Sequence, residues 1–395
     1  MQIITKIISK VKQTWHFTLG KHHRSLLRKN RKNQLNTPKD DAFHLRSAMY
    51  WLLKAQQKSG SNGVALSYNL YRGWLSAYPE TTGYIIDTFI RYSKMIDNPF
   101  FVEKAVEMGE WEMSVQMLDG SIPKVFAANK ETDVFDTGMV IHGWVSLFIE
   151  TADQKYLDAA CKAGEWLLKV QSTNGSWSSF TFGDIPHAYH SKVAWSLFRL
   201  WKVSQDQRYY HAAVNNINWV LKQRQTNGWI NFFEFSDGQT AYTHTIAYTL
   251  QGFVGICQLS DKKSFLYKSL IDTCIRISNI IQLKVNPESD TLPLAGEFDS
   301  FWKPDNSYTC LTGNCQIAIV FYQLYEITRD VQFAETADRL IDFVIKTQET
   351  GDNKIAFFNG IAGSYPIGGK YHPYEFPNWA AKFFADALML KIRLR

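Results

Sequence analysis

The stretch WLLKVQSTNGSW, residues 166–177, recurs along the chain and decides its fold. Its frame is a tryptophan, a glutamine five residues on, and then a glycine with an apolar residue after it. The frame returns at residues 51–56 (WLLKAQ) and 111–116 (WEMSVQ, followed by DGSI), and in weaker form at Trp219 (WVLKQRQTNGW), Ile277 (ISNIIQ) and Phe343 (FVIKTQ). Six copies at a spacing of about 58 residues mark a repeat architecture whose unit is one supersecondary element, long enough for two helices and their loops. Between the copies runs a second series of helix starts: ETTGYIIDTF from Glu80, DTGMVIHGWVSLF from Asp136, YHSKVAWSLF from Tyr189, THTIAYTLQGF from Thr243, LTGNCQIAIVF from Leu311 and PNWAAKFFADAL from Pro377.

Polarity assigns the two series their places. Residues 137–149 contain no Asp, Glu, Lys or Arg, whereas residues 335–348 carry Glu335, Asp338, Arg339, Asp342 and Lys346 on a helical period. A helix that is apolar all round is buried, and an amphipathic one faces water. The sequence therefore predicts an all-α protein, an (α/α)6 toroid of six inner and six outer helices. An open solenoid would use the same pattern, but six pairs are the number that closes a ring. Short alternating pieces at 229–235 (WINFFEF) and 354–358 (KIAFF) follow outer helices and read as small strands or loops.

Charge divides the 395 residues in two. Residues 1–39 hold ten basic side chains and no acidic one, so a chain of net charge +6 has a body, residues 40–395, of net charge −4. This predicts a basic N-terminal arm, residues 1–44, ahead of a single toroid domain, residues 45–395. Within the arm Ile4, Ile7, Ile8, Val11 and Trp15 recur at helical spacing, with lysines opposite. Two readings stand: an amphipathic segment lying on an anionic membrane surface through residues 1–39, and a solvated arm. No nucleic-acid-binding module accompanies the basic tract, and nucleic acid is not an expected partner. Five scattered cysteines are an odd set that suits reduced thiols, and no run of 18 apolar residues occurs, so the expected location is cytoplasmic, with the inner face of the cell membrane as a peripheral option.

Every inner helix is entered from the loop after an outer helix, so all six inner N-termini share one end of the ring, where their dipoles and free N–H groups converge. The side chains carried there include Glu80, Asp136, His187, His190, Tyr242, His244, Asn314 and Trp379. Neighbouring loops add Trp74, Tyr78, Trp302, Tyr371, His372 and Glu375, and Tyr84 stands one turn into its helix. Carboxylates, imidazoles, amides and aromatic platforms in one funnel suit a carbohydrate, with an anionic one favoured by the dipoles. Two chemistries fit: Glu80 and Asp136 as an acid pair for glycosidic cleavage, or His190 and His244 exchanging a proton at a sugar carbon in epimerisation. A non-catalytic glycan-binding toroid uses the same residues. Cys310 and Cys315 flank a helix start, but no Cys–His pair follows at helical spacing, and neither a metal nor a cofactor is expected.

Three resemblances bear on this. Glu80-Thr-Thr-Gly-Tyr on one inner helix and Asp136-Thr-Gly-Met on the next resemble the unsaturated glucuronyl hydrolases, a likeness that implies Asp136 as general acid/base and Glu80 as its partner. The inner-helix histidines resemble those of the N-acylglucosamine and cellobiose 2-epimerases. Residues 71–86 (YRGWLSAYPETTGYII) are similar to segments of proteins encoded with bacterial surface-polysaccharide enzymes, which implies a substrate that is an anionic oligo- or polysaccharide or a lipid-linked sugar. A different class enters through Gln171, Gly175 and Trp177, which match the QxxxGxW repeat of squalene and hopene cyclases. Their DxDD acid motif is missing, so the repeat is read as packing, with Gln tying loop backbone and Trp filling a gap.

Overall fold

The computed structural model describes residues 20–395 apart from 125–130, 237, 287–291 and 353. Helices are numbered in chain order. A short α1 (Lys21–Arg31) precedes twelve helices that alternate between two rings. The outer ring is α2 (Asp41–Lys58), α4 (Phe100–Val115), α6 (Gln154–Val170), α8 (Gln207–Lys222), α10 (Phe265–Gln282) and α12 (Val331–Thr347). The inner ring is α3 (Pro79–Ile96), α5 (Val134–Thr151), α7 (Ser191–Ser204), α9 (Thr243–Leu259), α11 (Leu311–Thr328) and α13 (Asn378–Leu394). Each inner helix packs on the next, and α13 returns to α2 and α3, so the structure is a closed (α/α)6 toroid. The buried faces follow the sequence pattern: α5 is buried at every position from Val134 to Leu147, while α12 buries one stripe that includes Phe333, Ala337, Leu340 and Val344.

The repeated glutamine is a latch. Gln116 Nε2 donates to Gly120 O at 3.1 Å in its own loop and to Ala159 O at 3.0 Å on the next outer helix. Gln171 repeats this with Gly175 O at 3.1 Å and Ala212 O at 2.9 Å, and Gln56 with Asn62 O and Lys104 O. Gly175 is required there: it sits at φ +91°, and a Cβ would stand 2.4 Å from Asn215 O. Trp177 is fully buried and donates from its indole to Leu167 O at 3.0 Å.

The small strands lie elsewhere than at the two alternating segments. Residues 229–235 and 354–358 are turns and bends, joined to the β pattern only by a bridge from Arg224 to Ile230, because Trp229, Ile230 and Phe233 all go inward and do not alternate. The strands instead stand in the loops that lead into inner helices. Ser67–Asn69 pairs antiparallel with Glu375–Pro377, with Tyr68 opposite Phe376, and joins the first loop of the ring to the last. Ala241–Tyr242 pairs with Glu297–Phe298, and Thr309–Cys310 with Ser364–Tyr365.

Helix α1 docks on the ring. It buries Leu26, places Lys29 Nζ 2.8 Å from Glu349, and accepts Ile367 N on Asn30 Oδ1 at 2.9 Å. The amphipathic segment with Ile4, Ile7, Ile8, Val11 and Trp15 lies outside the described residues. The first outer helix begins at Asp41, capped by Asp40, four residues ahead of the expected domain boundary. Among the described residues no helix is long and apolar enough to cross a membrane. All five cysteines are free thiols.

Candidate active site

A cavity of about 450 Å³ opens on the ring axis at the N-terminal ends of the inner helices. Its chemistry begins where α3 meets α5. These helices cross at Gly83 and Gly143: a Cβ on Gly83 would stand 2.6 Å from Val140 Cα, and one on Gly143 would stand 2.3 Å from Gly83 O. Backbone contact this close brings the first turns together, so that Glu80 Oε2 and Asp136 Oδ1 both bond to the hydroxyl of Tyr78, the latter at 3.3 Å. Two hydrogen bonds to one oxygen hold the nearest carboxyl oxygens within about 6 Å. Asp133 caps α5, accepting from Phe135 N at 2.7 Å and Asp136 N at 3.4 Å, and fixes the turn that carries Asp136.

Burial sets the protonation. It pushes Glu80 up to about 7 and Asp133 up to about 6, the latter opposed by Lys124 at 3.7 Å. Asp136 is raised well above the carboxylate range by burial and then by its two acidic neighbours, and Tyr78 is raised well above 10, so it keeps its proton. One phenolic proton cannot serve two carboxylates. The consistent chain is Asp136 protonated and donating to Tyr78 Oη, and Tyr78 donating to the more readily ionised Glu80. Asp136 Oδ2 remains, buried and with no partner among the described residues.

Opposite stand two imidazoles. His244 Nδ1 bonds to Gln316 Oε1 at 2.7 Å, and burial lowers its pKa to about 3, which leaves it neutral. His372 bonds to Glu375 Oε2 at 2.9 Å, while Asn69 holds the other Glu375 oxygen at 2.7 Å. Burial pulls Glu375 upward, yet the bond from His372 and those around it keep it below its usual value. Both rings pack on Tyr371, whose hydroxyl accepts from Trp379 Nε1 at 2.8 Å. Phe135, Phe182, Tyr189, Phe235 and Tyr248 complete an aromatic wall.

The structure thus brings Tyr78, Glu80, Asp136, His244, His372 and Trp379 to one cavity and places the other expected residues around it. Glu375 stands behind His372. Tyr84 lies in the floor between this cavity and the space beneath it, its hydroxyl 3.3 Å from that of Tyr248. His190 is 1% exposed among Trp177, Tyr189 and Phe135 and does not line the cavity, so it and His244 do not face a common space. His187 stacks on Tyr189 and bonds the carbonyls of Phe182 and Glu234, clamping two loops. Trp74 packs on Trp51 and Tyr68, Trp302 on Trp229 and Phe298, and Tyr242 on Phe235 and Tyr371. Asn314 ties Thr309 Oγ1 and Cys310 O at the start of α11. There Cys310 Sγ caps the helix by accepting from Gly313 N, and burial pushes its thiol up to about 12.

No family model matches the chain, and no curated protein matches its sequence. Solved structures do. An unsaturated glucuronyl hydrolase specific for heparin is similar at a TM-score of 0.70 and 17% identity, over 89% of this chain and 96% of that one. Cellobiose 2-epimerase from Bacillus thermoamylovorans B4167 is similar at 0.68 and 14%, over 89% and 100%. An unsaturated glucuronyl hydrolase responsible for glycosaminoglycan degradation, from Bacillus sp. GL1, is similar at 0.68 and 13%, over 89% and 96%. At such identities the likeness establishes the fold, a toroid shared with both kinds of sugar enzyme.

Proposed function

We propose that the chain is a carbohydrate-active enzyme that cleaves a glycosidic bond in an anionic, uronic-acid-type saccharide. The observation that carries this reading is the carboxyl pair bridged by Tyr78, one member protonated and with its second oxygen buried and unpartnered among the described residues, in a cavity walled by aromatic rings. Asp136 delivers its proton to the departing sugar oxygen, and Glu80 takes one from an attacking water or, in elimination, from a ring carbon. An anion is favoured by the six helix N-termini and by what lies beyond the rim. A second cavity of about 600 Å³ shares Leu66 and His372 with the first and adds Arg72. A third, of about 780 Å³, shares Tyr71 and Tyr374 with the second and is flanked by Arg24, Arg28 and Arg31 of α1. This basic trough suits a polymer or a lipid-linked sugar of bacterial surface-polysaccharide synthesis, handled in the cytoplasm by a toroid whose basic arm meets the inner membrane face. The five free thiols fit that compartment.

One observation favours a second reading. His244 is a neutral imidazole in the cavity wall, with His372 packed on the same Tyr371, an arrangement that could move a proton at a sugar carbon. Incubation with unsaturated and saturated uronic-acid oligosaccharides in deuterated water separates the two. A new reducing end or an unsaturated product, abolished by Asp136→Asn, supports cleavage. Deuterium at a ring carbon of an uncleaved sugar supports epimerisation, and binding with neither outcome overturns both in favour of a glycan-binding module.

A further inference from the structure

Beneath the floor made by Tyr84, Tyr248 and Phe383 the ring axis holds a second chamber, of about 270 Å³, toward the C-terminal ends of the inner helices. Inner helices that are otherwise apolar send charge into it. Arg91 pairs with Asp87 at 2.8 Å and with Asp386 at 2.6 Å, and Lys382 pairs with the other oxygen of Asp386. Arg199 reaches Asp87 only at 3.8 Å, and Lys192, 3% exposed, has no carboxylate ion-pair partner among the described residues: its Nζ bonds Gln251 Oε1 at 3.1 Å and lies 4.2 Å over the ring of Tyr248. Arg91, Arg199 and Lys382 thus face two carboxylates, and burial with the nearby Lys382 lowers the pKa of Lys192 well below the usual lysine value, so that an anion beside it would favour its charged form. A buried excess of positive charge is costly unless a counter-charge meets it.

Hydrogen bonding gives the same sign. Arg199 donates to His142 Nδ1 at 2.8 Å. A guanidinium has no acceptor, so Nδ1 accepts, and the proton of this neutral imidazole is on Nε2. That N–H is buried and has no partner among the described residues, and neither has the indole N–H of Trp195, whose ring centroid lies 4.5 Å from that of His142. Gly255 leaves space for the indole, since a Cβ there would stand 2.2 Å from it. Both rings belong to the chamber wall. Every unmet group is therefore a donor and the unmet charge is positive, which specifies an acceptor-only, negatively charged guest. Arg91, 40% exposed, stands at the mouth through which it enters.

We propose that this chamber is a second binding site, separate from the sugar-cleaving cavity, for a small oxyanion such as a phosphate or a carboxylate, held by Arg199, Lys192, His142 and Trp195.

The test is titration of the full chain with inorganic phosphate, sulfate and acetate against sodium chloride at equal ionic strength, read by calorimetry and by thermal unfolding. Saturable binding and a rising unfolding midpoint with at least one oxyanion are expected, and its shape, tetrahedral or planar, identifies the class of guest. Trp195→Phe, which removes one N–H and little volume, is expected to weaken binding about fivefold, and Arg199→Gln at least tenfold. Arg72→Gln, in the basic trough beside the upper cavity, is expected to leave the affinity unchanged. An equal response to chloride overturns the proposal. So does oxyanion affinity that ignores Trp195→Phe and Arg199→Gln or is lost in Arg72→Gln, since the anion then sits elsewhere. Either failure leaves the glycosidic reading untouched.

Discussion

Changing pH between 4 and 8, with Glu80→Gln as the paired variant, probes the carboxyl pair in two independent ways. Burial pushes Glu80 from 4.5 up to about 7. Between those values the native state holds a proton that the unfolded chain has released, so stability from this group is fully present below pH 4.5 and is lost as the pH rises to 7. At 1.36 kcal/mol per unit the loss is about 3 kcal/mol, and above pH 7 it stops growing. Asp133 and Asp136 shift the same way, so the wild-type curve carries all three, and the difference from Glu80→Gln reports Glu80 together with its coupling to those two. Urea unfolding at half-unit pH steps measures it without a substrate. Activity responds in the opposite sense, because the proposed cleavage uses Glu80 ionised: kcat/KM on an unsaturated uronyl disaccharide is expected to rise tenfold per unit to a bend near 7, so pH 5 costs about 100-fold. In Glu80→Gln the plateau falls by 10²-fold or more and that limb vanishes. A limb at 4.5, or one that survives in the variant together with an unchanged stability difference across pH, would show that Glu80 is an ordinary first-turn carboxylate and refute the reasoning.

Two further outcomes are expected. Gly83→Ala must move α3 away from Val140 by about 0.8 Å to relieve a 2.6 Å contact, so overpacking of about 1–3 kcal/mol outweighs the gain in helix propensity, and kcat/KM falls 10- to 100-fold as the carboxyl pair separates; urea unfolding and steady-state kinetics report the two effects. Glu112 is fully buried with neither oxygen partnered among the described residues, and burial raises its pKa well above the usual value, so Glu112→Met is expected to stabilise by about 1–3 kcal/mol at pH 8 and by less at pH 5, as read from urea midpoints.

The helices were legible because a closed ring repeats one packing problem six times, and a frame with Trp, Gln and Gly at fixed offsets survives in the letters. Glu80 and Asp136 were legible because a carboxylate in the first turn of an apolar helix is conspicuous. The aromatic wall was not: Phe182 and Phe235 stand in loops and Tyr248 inside α9, and nothing in a sequence separates an aromatic residue facing a cavity from one filling a core. His190 and His244 occupy similar places on adjacent inner helices, yet only His244 reaches the opening, because Phe135 and Tyr189 interpose their rings before His190. The lower chamber left a trace, Asp87 with Arg91 and Lys382 with Asp386, each four apart in the middle of a mostly buried inner helix, where a solvated surface pair has no place.

The antiparallel pairing of Ser67–Asn69 with Glu375–Pro377 acquires a further meaning from what flanks it. Leu66, Tyr78 and Glu80 precede α3 or open it, while Tyr371, His372 and Trp379 come from the far end of the chain, and all six line one cavity. The candidate pocket straddles the clasp of a hoop made from a linear strip. Anything bound there grips both ends of the strip and acts as a rivet. By mass action each tenfold rise in its concentration above Kd adds about 1.4 kcal/mol to holding the hoop shut.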